Sequence, residues 1–245
     1  MGKTLPFFEH LDELRRRLLI SLGAVAVSSV CLYFFADGLL ALLIQPLQRV
    51  EGSTLYFFSP QEAFVIKLKI TLLAGVLAAS PVLAWQIWQF VAPALYPGEK
   101  KAVLPLVSAT AALFVGGAAF CYWAVLPAAL GFLVGGMQTE YLRPLLSVGD
   151  YVGFLSGMML AFGIAFNLPL VVLALVASGL IQPRDLNRCQ RQAIVLIFIA
   201  AAVLTPGPDI ASQLLLALPL VALFELSVLA SFALVARRSR AKGTT

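Results

Sequence analysis

Two carboxylates next to apolar runs are the residues best suited to chemistry in this sequence. Glu13 lies in the charged segment 8–17, ahead of the first apolar run, and Glu99 opens the short charged turn 99–101. A carboxylate accepts two parallel hydrogen bonds from a guanidinium, a geometry that an ammonium group does not match. The two acids therefore suit a partner that carries paired arginines. The alternative is that each acid neutralises the basic residues beside it.

Two further polar residues fall inside apolar runs. A carboxylate at mid-bilayer costs ~2.5–3.5 kcal/mol even on insertion scales, so Glu225 must be neutral, paired or near water. A local interhelical hydrogen bond and a transport role both satisfy that demand. Asn167 precedes Pro169, whose ring leaves a helix carbonyl without its donor. Asn167 either caps this defect or binds something that crosses the membrane plane.

Catalytic and metal-binding constellations are missing from the sequence. His10 is the only histidine, and the three cysteines, Cys31, Cys121 and Cys189, are far apart without CxxC spacing. The sequence also contains no GxSxG nucleophile motif and no carboxylate pair on one apolar run. Protease and transferase chemistry therefore lack the required groups. We expect a protein that is not an enzyme and that holds no cofactor or metal.

The composition indicates a polytopic membrane protein with an all-α fold. Of its 245 residues, 61% are hydrophobic and 12% are charged, whereas soluble domains average roughly 45–50% apolar and about 25% charged residues. The net charge of +5 comes from basic residues beside apolar runs. These residues suit orientation in the membrane and contact with anionic lipid, and no nucleic-acid partner is expected.

The apolar runs predict one membrane domain of six spanning helices, residues 1–245, with prolines that kink it into a concave bundle. The predicted spans are residues 18–36, 70–92, 103–126, 151–177, 192–205 and 211–235. Outer-face segments are residues 37–69, 135–150 and 206–210, and cytoplasmic segments are residues 1–17, 93–102, 178–191 and 236–245. Thirteen of the 17 Lys and Arg residues fall in the cytoplasmic segments, which predicts that both termini are cytoplasmic. The fifth run offers only ~18 Å of strongly apolar helix, so that span is short.

Several short motifs in this order resemble one family. They are EHLDELRRR at residues 9–17, ASP at 79–81, FVAPALY at 90–96 followed by Glu99, and LTP at 204–206 followed by Asp209 and Gln213. Together they are similar to TatC, the multispanning subunit of the twin-arginine protein translocase. The resemblance covers nearly the whole chain.

The resemblance implies a signal-peptide receptor and translocase core, with short fifth and sixth helices. Its recognition acids are Glu13 and Glu99, and the patch around them includes Arg15, Phe90, Leu95 and Tyr96. Residues implied in partner docking and on the outer face are Pro46, Thr205, Pro206, Asp209 and Gln213. Many family members carry a glutamate where this chain has Asn167, so a proton-linked role at that site is not expected here.

The implied partners are TatA- and TatB-type single-span proteins, twin-arginine signal peptides of folded precursors, and the lipid bilayer. The family acts as a homo-oligomer within a complex in the cytoplasmic (inner) membrane, and the proton-motive force drives transport. A different interpretation is a small-solute secondary transporter with Asn167 and Glu225 along its path. A third is a membrane scaffold without recognition activity. A transporter needs only its solute, a receptor needs a partner and a peptide motif, and a scaffold needs neither.

Overall fold

The computed structural model describes residues 7–48, 54–56, 58–95, 103–133, 145–204 and 210–242. Within these ranges the chain is almost entirely helical, with one π-helical turn and two short strands. The helices are α1 (Phe7–Tyr33), α2 (Ala36–Gln48), α3 (Pro60–Leu95), α4 (Val103–Phe120), the π-helix (Cys121–Val125), α5 (Leu126–Leu133), α6 (Val148–Phe166), α7 (Leu168–Ala177), α8 (Pro183–Arg188), α9 (Gln190–Leu204) and α10 (Ile210–Lys242). The strands are β1 (Thr54–Tyr56) and β2 (Leu145–Ser147).

Five helical stretches in the described ranges are long and apolar enough to cross a membrane. They are α1, α3, α4 continued through the π-helix into α5, α6 continued into α7, and α10. About 20 apolar residues cross a hydrocarbon core of ~30 Å. The apolar helices α2 and α9 have 13 and 15 residues, and α9 therefore covers only about 22 Å. Its shortness follows from the turn chemistry of the Thr-Pro-Gly-Pro segment that follows it in the sequence. The expectation of a short sixth helix is wrong, because the predicted sixth span lies within α10, which has 33 residues.

The helix α6 lies at the centre of the core. Val152, Leu155, Met158 and Phe162 are each 0% exposed, and their spacing of three to four residues places them on one helical face. They belong to a buried cluster that α3, the π-helix and α10 also contribute to. The helices at the periphery, α1 above all, leave large apolar side chains exposed instead. This arrangement suits a protein whose outer surface contacts lipid.

The helices α4 and α6 approach each other closely at two glycines. A Cβ atom on Gly117 of α4 would lie 2.5 Å from the backbone oxygen of Phe162 on α6. In the reverse direction, a Cβ atom on Gly163 of α6 would lie 2.9 Å from the ring of Phe114 on α4. Small residues let helix backbones pack at short distance, which supplies van der Waals contact where lipid removes the hydrophobic driving force.

A two-stranded parallel pair links the segments that precede α3 and α6. Thr54 pairs with Leu145, and Tyr56 pairs with Ser147. Since β1 leads into α3 and β2 leads into α6, parallel pairing starts both helices from the same face of the molecule. This pairing gives a fold to the last residues of the segment 135–150, which the sequence places on the outer face.

The contact at Gly117 predicts a difference between two adjacent glycines. We expect Gly117→Ala to lower the free energy of unfolding by about 1–3 kcal/mol, because the added methyl group meets a backbone oxygen that cannot rotate away. The control is Gly116→Ala, since a Cβ atom there meets nothing within 4 Å. That variant should be neutral or more stable by up to ~1 kcal/mol, from helix propensity alone. Unfolding in detergent, followed by circular dichroism, measures both. Equal effects at the two positions would contradict the close packing of α4 on α6.

Candidate functional site: a guanidinium-binding carboxylate and its surroundings

The carboxylate of Glu13 already binds a guanidinium group. Residues four apart on a helix share a face, so Arg17 lies one turn beyond Glu13 on α1. Its Nε donates to Glu13 Oε1 at 3.1 Å, and its Nη2 donates to the same oxygen. The remaining nitrogen, Nη1, donates to Gln89 Oε1 at 3.3 Å. We call these three residues the Glu13–Arg17–Gln89 network. It joins the beginning of α1 to the last turns of α3.

The other predicted patch residues lie on the same two helix ends or beyond them. Arg15 is exposed on α1 and lines a shallow depression together with Asp12. Phe90 is half-buried on α3, next to Gln89. Leu95 is the last residue of α3, and its side chain lies outside the described residues, as do Tyr96 and Glu99.

Asn167 lies at the break between α6 and α7. Its backbone N–H donates to the Ile164 carbonyl at 3.0 Å, three residues back, in place of the Gly163 carbonyl four residues back. Its side-chain Nδ2 then donates to the Gly163 carbonyl at 2.9 Å. The amide therefore supplies a bond that its own backbone does not make. The carbonyl that it serves is that of Gly163 and not that of Ala165, the one that loses its donor to Pro169. The other amide atom, Oδ1, is buried and has no hydrogen-bond partner within the described structure.

That unpaired oxygen lies beside an apolar cavity of about 490 Å³. The cavity is lined by α3, α4, α6 and α7, and Ser80 of α3 adds a second buried oxygen without a partner in the described part of the chain. Trp88 Nε1 donates to Thr110 Oγ1 at 2.6 Å, and both residues line the cavity. A cavity of this kind offers hydrogen-bond acceptors within an apolar wall.

Glu225 finds its partner on the neighbouring helix. Gln190, the first residue of α9, donates from Nε2 to Glu225 Oε1. Because α9 has 15 residues and α10 has 33, the start of α9 stands level with the middle of α10. The short helix thus brings an amide to a carboxylate that its own helix cannot satisfy. Of the two interpretations of Glu225, a local interhelical hydrogen bond or a transport role, this contact is the first.

Pro46 is buried in α2 and acts through the carbonyl that it leaves free. Proline has no N–H, so the Leu42 carbonyl, four residues earlier, loses its helical donor. The hydroxyl of Tyr122, from the π-helix, donates to this oxygen at 2.6 Å. Tyr151 of α6 donates to the next carbonyl, that of Leu43, at 2.7 Å. Two tyrosines from different helices therefore hold α2 in place.

The predicted docking residues after α9 are described only in part. Gln213 of α10 donates from Nε2 to the Phe198 carbonyl of α9 at 3.0 Å, so its amide ties these two helices together. Thr205, Pro206 and Asp209 lie outside the described residues.

Sequence reasoning missed the role of Glu62, in the first turn of α3. Its carboxylate accepts hydrogen bonds from Phe58 N at 2.8 Å, Ser147 Oγ at 2.6 Å and Gly149 N at 2.9 Å. Glu62 thereby joins the start of α3 to the start of α6. The only signal in the sequence is an acid after Ser59 at capping-box spacing, which predicts a helix start but not a distant partner.

Comparisons with known proteins bear on this arrangement. The family model described as Sec-independent protein translocase protein (TatC) matches residues 9–219. The chain belongs to the TatC family. It is 41% identical over 226 residues to TatC of Aquifex aeolicus, covering 91% of this chain and 93% of that one. It is 39% identical over 228 residues to TatC of Carboxydothermus hydrogenoformans, covering 92% of each chain. TatC of Escherichia coli is 37% identical over 227 residues, which cover 92% of this chain and 87% of that one.

Solved structures agree with the relatives. A crystal structure of the twin-arginine translocase receptor TatC superposes with a TM-score of 0.85 at 39% identity, covering 91% of this chain and 98% of that one. The predictions of a helical, multi-pass membrane protein and of membership in the TatC family are confirmed. A function in protein transport follows from the family. The alternative of a small-solute secondary transporter finds no support among these proteins.

The contact between Tyr122 and the carbonyl freed by Pro46 predicts a coupling between the two residues. We expect Tyr122→Phe to cost about 1 kcal/mol of unfolding free energy, because it removes the hydrogen bond to the Leu42 carbonyl. In a Pro46→Ala background that cost should largely vanish, since the new backbone N–H serves the same carbonyl. Tyr151→Phe is the control, because its acceptor is the carbonyl of Leu43. Its cost should be the same in both backgrounds, and additive effects for Tyr122 and Pro46 would contradict the assignment.

Proposed function

We propose that this chain is the signal-peptide receptor and core subunit of a twin-arginine translocase, which exports folded proteins across the cytoplasmic (inner) membrane. The observation that carries the proposal is the carboxylate of Glu13, which binds a guanidinium in a position joined to the end of α3. Membership in the TatC family and the crystal structure named as a twin-arginine translocase receptor support it. The proton-motive force supplies the energy, without nucleotide.

The recognition site in this proposal consists of Glu13 and Glu99, each of which takes one arginine of the signal peptide. Arg15, Phe90, Leu95 and Tyr96 shape the surrounding patch. The Glu13–Arg17–Gln89 network supports this assignment, because it holds the amino-terminal segment beside the end of α3, from which the chain continues to Glu99. A guanidinium on each acid gains bidentate, charge-assisted bonds that lysine does not reproduce.

The topology that goes with this function has six spans and two cytoplasmic termini. Five long apolar stretches account for five spans, and α9 is the remaining one. Support for its crossing comes from exposed apolar side chains on α9, Leu196 at 65% and Val203 at 80%, which a bilayer would cover. The distribution of Lys and Arg supports the orientation. The cavity beside Asn167 supports a kinked, concave bundle.

Partner docking in the proposal uses Thr205, Pro206 and Asp209, which follow α9 in the sequence, and Gln213 of α10, together with Pro46 on the outer face. Single-span proteins of the TatA and TatB type bind there, and several copies of this chain assemble in the complex. Exposed apolar residues such as Leu214 and Leu218 on α10 support a surface for helix-on-helix contact in the membrane.

The receptor proposal predicts selective binding of arginine over lysine. The purified protein should bind a signal peptide with Arg-Arg at least ~10-fold more tightly than the same peptide with Lys-Lys, because a charge-assisted bidentate pair is lost while the charge is unchanged. Glu13→Ala and Glu99→Ala should each abolish this preference. Fluorescence anisotropy of labelled peptides in detergent measures it.

The control for that experiment is Asp12→Ala, which removes an exposed carboxylate from the same helix without touching the recognition pair. This variant should keep the wild-type ratio between the two peptides. Equal and salt-sensitive binding of both peptides to the wild-type protein would overturn the receptor proposal and leave the two acids as neutralising groups.

A second prediction concerns Asn167, which we propose works through hydrogen bonding and not through titration. Asn167→Leu should reduce export of a folded precursor several-fold, because it removes the bond to the Gly163 carbonyl and the acceptor in the cavity. Asn167→Glu should keep most of the export, since a carboxyl group can still accept a hydrogen bond there. Export is measured in cells as periplasmic reporter activity. Unchanged export in both variants would show that export depends on neither the Gly163 bond nor the acceptor in the cavity.

A further inference from the structure

Arg17 occupies the carboxylate that the proposed function assigns to the signal peptide. We propose that Arg17 is an internal substitute for a signal-peptide arginine, so that the peptide binds Glu13 by displacing it. The inference rests on the proposed function and adds a residue that tunes the affinity of the same site. Its consequence is that the free receptor is held in a competitor-bound state until a precursor arrives.

The geometry of the contact supports exchange between like groups. Arg17 presents Nε and Nη2 to one oxygen of Glu13, which are the donors that an arriving arginine would also offer. Its side chain is 17% exposed and that of Glu13 is 31% exposed, so the carboxylate remains reachable from the surface. The second oxygen, Oε2, gives an arriving guanidinium a place to begin binding before Arg17 leaves.

Gln89 provides a place for the displaced side chain. Arg17 already donates from Nη1 to Gln89 Oε1 at 3.3 Å. When the two bonds to Glu13 break, this bond to α3 can persist, so the released cation keeps an acceptor. A released guanidinium without any acceptor would make displacement costly. The neutral amide accepts a hydrogen bond without competing as a second carboxylate.

The strength of the contact is suited to exchange. An ion pair between residues four apart on a helix favours the paired over the unpaired state by only about twofold. Partial burial and the bond to Gln89 raise this bias, and we expect a total of ~2- to 10-fold. A competitor of this strength lowers the apparent affinity of any peptide by the same factor, because displacing Arg17 from Glu13 uses up that part of the binding free energy. It therefore limits affinity and leaves the arginine-to-lysine ratio unchanged.

A limit on the affinity helps the receptor to release the signal peptide. A receptor that hands its precursor to other subunits must let the signal peptide go, and an attached competitor returns to the carboxylate as soon as the peptide arginine loosens. The tether makes its local concentration high and independent of the protein concentration. Removing the competitor should therefore act mainly on the dissociation rate.

The test compares Arg17→Met with Arg16→Met. Both variants remove one positive charge from the same turn, but Arg16 is exposed and belongs to no ion pair among the described residues. We expect Arg17→Met to tighten binding of the Arg-Arg peptide ~2- to 10-fold beyond Arg16→Met, mostly through slower dissociation measured by surface plasmon resonance. The Lys-Lys peptide should tighten by the same factor. In a Glu13→Ala background, Arg17→Met should match Arg16→Met.

Two results would overturn the inference. Weaker binding by Arg17→Met would show that Arg17 orients the carboxylate and does not compete for it. Equal effects of the two Met variants would show that Arg17 acts on the peptide only by charge repulsion. Arg17→Lys, which keeps the charge, is the second variant in case Arg17→Met does not fold. Its affinity for the Arg-Arg peptide should lie between those of the wild type and Arg17→Met. If the wild-type protein binds neither peptide, the receptor proposal fails instead, and this outcome is distinct from wild-type binding that Arg17 does not affect.

Discussion

A polar group removed from water must find its partner inside the protein, and this constraint governs most of the structure. Within a bilayer no solvent replaces a missing hydrogen bond, so a proline or an irregular helix turn leaves a group that another side chain must satisfy. The chain meets this demand with three different solutions. Tyr122 serves the carbonyl freed in α2, Asn167 serves a carbonyl of its own helix, and Gln190 serves Glu225 on the next helix.

Two of these bonds also fix how helices are arranged. The Tyr122 bond crosses from the π-helix to α2, over a separation of 80 residues, and the Gln190 bond crosses from α9 to α10. Such bonds contribute only modestly to membrane helix association, but they specify one register where apolar surfaces slide easily. Close backbone packing at Gly117 supplies the attraction that the bonds then orient. The short α9 is possible because its first residue meets a polar partner at the middle of α10.

The sequence predicts local structure but not the hydrogen-bond partners that lie far away along the chain. Uninterrupted apolar runs predict the long helices, because few other structures satisfy the backbone in lipid. Pro46, Asn167 and Glu225 are recognisable as residues in need of partners, since each breaks a local rule. Their partners are not recognisable, because Tyr122 and Gln190 have ordinary alternative uses on a helix surface. Glu62 escapes notice for the same reason, as its partners lie 85 and 87 residues away.

The two interpretations of Glu13 drawn from the sequence turn out to be compatible. One has the acid neutralise a neighbouring arginine, and the other has it bind the guanidinium of a partner. Arg17 makes the first contact in the free chain, and this contact demonstrates the chemistry that the second requires. A carboxylate shaped to hold one guanidinium without a peptide pays little reorganisation to hold another. In the proposed receptor, the internal ion pair at Glu13 therefore indicates the ligand as well as describing the free protein, because the side chain that fills the site reveals which group fits it.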